Sequence, residues 1–461
     1  MNTGRSDSPL LQPDGFVWGA GIEDTIIGRP LRDGGGVLDE YALTQHDRFW
    51  REDLDRAASL GISMIRYGIP WHRVNPAPGQ FDWRLMDEVL TYAVRTKGLT
   101  VIADLVHYGA PLWLEDAFAD PGFPRAMADY AGAFAQRFAP LVHHYTPLNE
   151  PLITASFCGE RGVWPPYLEG SAGWLRVIFG IVAGIQAAIP AIRAADPDAV
   201  IVHVEAAKLL WSTQPVAGDL LAIERARAFL ATDLLFGRVD DRHPLTGWLR
   251  EAGVTDEELR RLQTGRAEID VIGVNYYPDL SVRELIEHDG RLREVTVEGW
   301  DVGLTEVLEA FWRRYELPVF VSETSTEGDD GRRGAWLEAS TAALARLCAA
   351  GVPVRGYTWW PLFDFVDWSY ASGGRTVEEF WVRTTHPDGA ETISPVHPPG
   401  KPGDDVGAFL RRMGLWRLSP RPDGTLDRLE TGVVDRLRVL TARPVNETAE
   451  DKAADREANI V

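Results

Sequence analysis

Tyr145-Thr146-Pro147-Leu148-Asn149-Glu150-Pro151 sets a carboxylic acid beside an amide at the end of the apolar run 139–148. A run of that composition reads as a buried strand, so Glu150 is expected at its C-terminal rim. A carboxyl caught between an apolar wall and a cleft is pushed towards its neutral form, which suits it to donate a proton near neutral pH. The same residues also spell a strand-ending turn, because Asn and Pro are frequent turn formers. Taken alone, the stretch leaves both readings open.

A second stretch narrows them. Pro318-Val319-Phe320-Val321-Ser322-Glu323 is another short β-branched and aromatic run that ends in a glutamate, ahead of the polar turn 324–330. Two strands that each deliver a glutamate to one rim supply what glycoside hydrolysis needs, an acid for the leaving oxygen and a carboxylate to attack or to activate water.

Working outward, apolar runs fall at 16–20, 63–69, 99–106, 143–148, 199–204, 270–277, 318–322 and 354–363. Helical spacing fills 47–60, 82–96, 125–138, 173–195, 219–236, 304–315 and 333–350, with Pro190 expected to kink the fourth of these. Eight runs alternating with helices predict a (β/α)8 TIM barrel, whose active site lies where the strands end. An open doubly wound sheet shares the alternation, but no glycine-rich phosphate turn follows the first run. The expected organisation is one barrel domain over 14–441, with flexible tails at 1–13 and 442–461. A Gly-, Pro- and charge-rich insertion at about 372–411 follows the eighth run. It is expected to overhang the site as a lid or to stand in solvent without a role.

Composition bounds the partners. The formal charge is −21, with acidic residues dispersed and no Lys/Arg block, which argues against nucleic acid and anionic membrane. No window reaches the ~18 apolar residues of a membrane helix, and 1–13 lacks the apolar core of a secretion signal, so a cytoplasmic protein is expected. The Asn446-Glu447-Thr448 sequon then has no role. Cys158 and Cys348 are too few for a disulfide framework and read as reduced packing thiols. No His/Cys/Asp ligand cluster is apparent, so neither metal nor other cofactor is expected. The 17 Trp lean towards carbohydrate, since indole faces stack on sugar rings.

The strand ends fill in the site. Arg66 is a charge inside an apolar run and needs a carboxylate partner, for which Glu323 is the natural choice. Asn149-Glu150-Pro151 and Val321-Ser322-Glu323 resemble the acid/base and nucleophile strands of glycoside hydrolase family 1, the β-glucosidase family. The segment Trp360 to Trp368 resembles that family's Trp-rich signature. The resemblance implies that Glu150 is the acid/base, Glu323 the nucleophile and Arg66 the arginine beside it. It implies that Tyr277 hydrogen-bonds the nucleophile, while Asn149, His107, Trp360, Asp367 and Trp368 hold the sugar. Several positions depart from the family pattern. Tyr108 replaces the Trp after the histidine, and Asp367 is one methylene shorter than the family glutamate. The first strand reads Gly21-Ile22-Glu23-Asp24 with no Gln, and Thr324 and Ser325 follow the nucleophile.

These residues point to a retaining exo-β-glycosidase acting on a small β-glycoside or oligosaccharide, with an atypical sugar or aglycone preference. The alternatives are a related barrel glycosidase that acts on a disaccharide or within chains, and a non-catalytic sugar-binding barrel. Oligomeric state is not readable from the sequence.

Overall fold

The computed structural model describes residues 5–32, 34–214, 220–378, 380–385 and 390–442. Eight parallel strands close into a barrel in chain order. They are β1 (Val17–Gly21), β2 (Met64–Gly68), β3 (Thr100–Asp104), β4 (His144–Thr146), β5 (Val200–Ala206), β6 (Val271–Asn275), β7 (Val319–Thr324) and β8 (Val354–Trp359). Their side chains are buried almost throughout because helices cover the outer face, so they read as continuous apolar runs. Inside the barrel Val17, Met64, Ile102, Val200, Val202, Val204, Val271 and Phe320 form an apolar lower layer. The charged side chains Arg66, Asp104 and Glu323 stand towards the C-terminal rim, on the same strands.

The predicted strand 139–148 is much shorter than expected. The helix Phe123–Phe138 runs up to Ala139, the amides of Leu141 and Val142 bond back to Phe138, and only His144–Thr146 pairs with β3 and β5. Pro147 has no amide hydrogen to continue the ladder, and Asn149 rejoins β5 through a single bridge to Val204. Residues 220–236 form two helices, Leu220–Arg227 and Leu230–Leu235, where the sequence suggested one; residue 219 lies outside the described residues.

The helix Gly170–Ala195 continues through Pro190 as one element. An 18-residue window of it reaches a mean hydropathy of 1.9, apolar enough for a membrane span, although polar residues interrupt the apolar run. The apolarity is accounted for by packing along Phe123–Phe138, so close that a Cβ at Gly184 would stand 2.4 Å from the Phe123 ring, and by the turn Ala117–Ala119, where a Cβ at Gly180 would stand 1.9 Å from the Phe118 carbonyl oxygen.

Residues 5–13, expected as a flexible tail, close the barrel floor. Arg5 pairs with Asp270, Ser8 Oγ lies 2.7 Å from His144 Nε2, and Leu10 is fully buried against the lower layer. At the other end the helix Gly432–Thr441 packs on Asp330–Ala349, and residues 443–461 of the second expected tail lie outside the described residues.

The sequence reading missed a second sheet. Strands Leu209–Trp211, Val282–His288, Arg291–Thr296, Trp381–Thr385 and Glu391–Pro395 form it, joining excursions after β5 and β6 to the insertion after β8. The insertion is therefore anchored, and Val377, Glu378, Phe380 and Arg411 from it line the cavity at the barrel mouth.

Candidate active site

Glu150 leaves β4 in a backbone conformation that favours glycine, φ 46° and ψ 71°. Three contacts hold it there. Its amide donates to the Val204 carbonyl at 3.1 Å, Glu205 Oε1 accepts the Leu152 amide at 3.1 Å, and Pro151 begins the helix Pro151–Ala155. The turn aims the side chain into the cavity, where Asn275 Nδ2 donates to Oε1 at 2.8 Å and Tyr108 Oη donates to Oε2.

Glu323 ends β7 on the opposite wall. Arg66 Nη1 donates to its Oε1, and Tyr277 Oη donates to its Oε2 at 2.8 Å. Arg66 is 1 % exposed, so its charge depends wholly on partners. Besides Glu323 it binds Asp104, and its Nη2 donates to Asn149 Oδ1 at 2.6 Å. One guanidinium thus positions the amide beside one glutamate and the carboxylate of the other.

The two glutamates are electrostatically unequal. Burial raises both. On Glu323 the charges of Arg66 and His107 and the Tyr277 hydroxyl oppose that rise. On Glu150 the neighbouring Glu323 charge adds to burial and brings it up to about 7, in spite of Tyr108 and Asn275. Of the coupled pair, Glu323 gives up its proton first and Glu150 keeps one.

The cavity between them measures about 140 Å³. At the space one water requires, that admits on the order of ten waters, enough for a sugar ring to displace. Trp360 forms its platform, stacked on His107 with centroids 5.6 Å apart and planes at 2°. Glu23 Oε2 accepts the Trp360 indole N–H at 3.0 Å. Trp368 sits edge-on to Tyr108, Phe157 and Trp164. Asp367 is held on both oxygens: Oδ1 accepts the Ser369 amide at 2.9 Å, and Oδ2 accepts from Arg411 Nη1 at 3.0 Å. Arg411 is held in turn by Glu327 at 2.7 Å.

Glu150, Glu323, Arg66, His107, Asn149, Tyr277, Trp360, Asp367 and Trp368 therefore converge on one site; Arg66 and Asn149 stand behind the lining and the rest face the cavity. Asn275, which the sequence left open as barrel packing, is a direct partner of Glu150. Sequence reasoning also missed Glu23, Tyr108 and Arg411. The first two lay at positions already flagged as departures, which was the available signal. Arg411 belongs to the insertion and carried none. Asp24, Asp104 and His107 offer donor atoms within 4.8 Å of one another, a clustering that spacing did not reveal. Arg66 and the His107 ring nitrogen both sit on Asp104 Oδ2, and Asp24 Oδ1 faces the same ring nitrogen, while Asp24 Oδ2 and Asp104 Oδ1 have no hydrogen-bond partner among the described residues.

A parallel barrel with paired glutamates facing a sugar-sized pocket defines a barrel glycoside hydrolase. Glycosyl hydrolase family 1 matches residues 14–375, and the chain belongs to that family. Beta-glucosidase A of Thermotoga maritima is 23% identical over 405 residues, covering 77% of this chain and 90% of that protein. A bifunctional beta-D-glucosidase/beta-D-fucosidase of Bifidobacterium breve is 25% identical over 450 residues, covering 79% of this chain and 93% of the other. The structure of the Thermotoga maritima beta-glucosidase in complex with castanospermine superposes with a TM-score of 0.73 at 18% identity, covering 95% of this chain and 99% of that one.

Proposed function

We propose that this glycoside hydrolase is a retaining exo-β-glycosidase with Glu323 as nucleophile and Glu150 as acid/base. The observation that carries the reading is the asymmetry of the pair. Glu323 accepts hydrogen bonds from Arg66 and Tyr277, whereas Glu150 is buried, faces the Glu323 charge and holds a proton up to about pH 7. Glu323 attacks the anomeric carbon as Glu150 passes its proton to the glycosidic oxygen, which leaves with the aglycone. Glu150, now a carboxylate, takes a proton from the water that cleaves the glycosyl-enzyme.

A pocket with room for about one sugar ring supports removal of terminal residues over cleavage within chains. Arg66, by holding Asn149 Oδ1, turns the Asn149 amide nitrogen towards His107 and Tyr108 at 3.2 Å each, and exchange of one of these long bonds for the sugar 2-oxygen would put a donor where charge shifts in the transition state. Trp360, His107, Asp367 and Trp368 hold the ring. The altered groups Glu23 and Asp367, the latter held by Arg411, support a preference unlike that of an ordinary β-glucosidase.

The test is intact-mass analysis after incubation with 2-deoxy-2-fluoro aryl β-glycosides in gluco, galacto, fuco and xylo forms. The expected result is a stable adduct on Glu323, and the sugar that traps fastest identifies the glycone. Turnover of an aryl glycoside with inversion at the anomeric carbon would replace the mechanism. Binding without adduct or turnover, unchanged in Glu323→Ala, would leave a sugar-binding barrel.

A further inference from the structure

Side chains alternate along β5. Val200, Val202 and Val204 fill the barrel interior, whereas Ile201, His203 and Glu205 face the layer between strands and helices, where His203 Nε2 meets Thr232 Oγ1 at 2.9 Å. That layer is apolar in a parallel barrel, so a carboxyl in it needs a reason. Glu205 is fully buried and forms no ion pair among the described residues. Its Oε2 has no hydrogen-bond partner among them either, while Oε1 accepts two amides, Leu152 at 3.1 Å and Ala206 at 2.9 Å.

The Leu152 amide gives the reason. The first amides of a helix have no partner within it, and the side chain of the N-cap residue commonly takes one of them. In the helix Pro151–Ala155 the N-cap is Glu150, whose carboxyl is turned into the pocket towards Asn275 and Tyr108 and makes no cap bond. One carboxyl cannot serve the helix and the pocket at once. Strand β5 supplies what is missing: the Val204 carbonyl accepts the Glu150 amide at 3.1 Å, Pro151 has no amide hydrogen, and Glu205 accepts the Leu152 amide. Two consecutive residues of one strand thus satisfy every amide from 150 to 152. The Ala206 amide pins the same Glu205 oxygen, and Ala206 lines the cavity beside Glu150. Glu150 itself sits at φ 46° and ψ 71°, a conformation that persists in a residue other than glycine only where its surroundings fix it. Without Glu205 the Leu152 amide is buried with no acceptor, and the turn relaxes and carries the Glu150 carboxyl with it.

We propose that Glu205 is a positioning residue for the general acid: it caps the helix Pro151–Ala155 in place of Glu150 and so fixes the Glu150 carboxyl at the glycosidic oxygen. The role of Glu150 rests on the glycosidase reading above, whereas the cap does not. Burial holds Glu205 well above the usual carboxylate range in spite of the two amides, so a neutral amide oxygen is a close stand-in for it. Gln keeps the acceptor, Ala removes it, and Met removes it while filling the space.

Leaving groups separate positioning from general damage, because 2,4-dinitrophenolate departs without a proton and an alkoxide needs one. In Glu205→Ala and Glu205→Met, kcat/KM for a methyl β-glycoside should fall between about tenfold and a hundredfold, the cost of displacing a reacting group by about 1 Å. For the 2,4-dinitrophenyl glycoside of the same sugar the change should stay below about threefold, since no proton transfer assists that departure. Glu205→Gln should recover most of the loss, and Glu150→Ala should show the same split more strongly. Equal losses on both substrates in the Ala and Met variants, or no loss on either, overturn the proposal, as does a Gln variant as impaired as the other two. Equal losses in Glu150→Ala would instead count against Glu150 as the acid. Hydrogen exchange of a peptide spanning 149–156, read by mass spectrometry, tests the cap without substrate. Exchange should rise in Glu205→Ala and Glu205→Met and stay at the parent level in Glu205→Gln; unchanged exchange in all three sinks the proposal even if no glycoside is turned over.

Discussion

Replacing Tyr108 by Phe removes one hydroxyl and keeps the ring packed against Trp164, Trp368 and His107. In the parent that hydroxyl donates to Glu150 Oε2, while Asn275 serves Oε1 at 2.8 Å. Both bonds favour the ionised carboxylate and so oppose the burial and the Glu323 charge that lift Glu150 to about 7. A hydrogen bond to a charged group contributes about 1.5–3 kcal/mol, and about 1.4 kcal/mol corresponds to one pKa unit, so the full loss would raise Glu150 by about 1–2 units. The lower figure is the expected one, because Asn149 Nδ2, which donates to the same hydroxyl at 3.2 Å, is freed to turn towards the carboxylate. The sign follows from the role. A general acid must hold its proton, so a higher Glu150 pKa extends activity to higher pH. The alkaline limb of kcat/KM for an aryl β-glycoside should move up by about one unit, and the acidic limb, set by Glu323, should stay. A limb that stays or moves down would show that the Tyr108 hydroxyl does not serve the ionised form of Glu150, or that Glu150 is not the acid.

Further perturbations test the frame around the pair. Arg66→Met leaves Asp104 and Glu323 buried without their guanidinium and should cost about 3–5 kcal/mol in urea unfolding. The same change raises Glu323, which must be ionised to attack, so the acidic limb should move to higher pH. Leu10→Ala, at a fully buried position under the lower layer, should cost about 2–5 kcal/mol and leave kcat/KM unchanged; a melting temperature equal to that of the parent would return residues 5–13 to the status of a loose tail. Gly180→Ala drives a methyl into the Phe118 carbonyl and should lower the melting temperature markedly, whereas a neutral effect would contradict the close packing of Gly170–Ala195 on the turn Ala117–Ala119. Arg411→Met frees one oxygen of Asp367 and unpairs Glu327; KM should change with little change in the rate of covalent trapping, and the converse pattern would place Arg411 in the chemical step.

The barrel was legible because its strands are buried on both faces and its helices on one, so each announces itself by apolar period. The paired glutamates were legible for a related reason, since each ends such a run. What stayed hidden depends on contacts between distant segments. Asn275 looked like strand packing until the fold brought it to Glu150, and Leu10 looked like tail because one apolar residue in a polar stretch has no period. The outer sheet escaped because its strands come from three excursions, and only their pairing makes them a sheet. The length of the fourth strand was overestimated because the composition of 139–148 suits a turn against Phe138 as well as a strand.

The departures from the family pattern form one arrangement once they are placed. Glu23 occupies the Trp360 indole N–H, Asp367 is tied to Ser369 and Arg411, and Tyr108 serves Glu150. The donors round the far side of the pocket are thus largely spent on the protein's own carboxylates, while Glu23, Asp367 and Glu378 still line the cavity with acceptor oxygens. A carboxylate offers about four lone-pair sites, so each retains capacity after these internal bonds. The far wall therefore asks the sugar for hydroxyl donors and offers it few in return. A hydroxyl satisfies that demand because it can donate, whereas a methyl group or a hydrogen at the same position leaves buried carboxylate lone pairs unpaired. On the proposed reading the retained pair, Glu150 and Glu323, governs what bond is cleaved, and the altered wall governs which hydroxyls the substrate must carry.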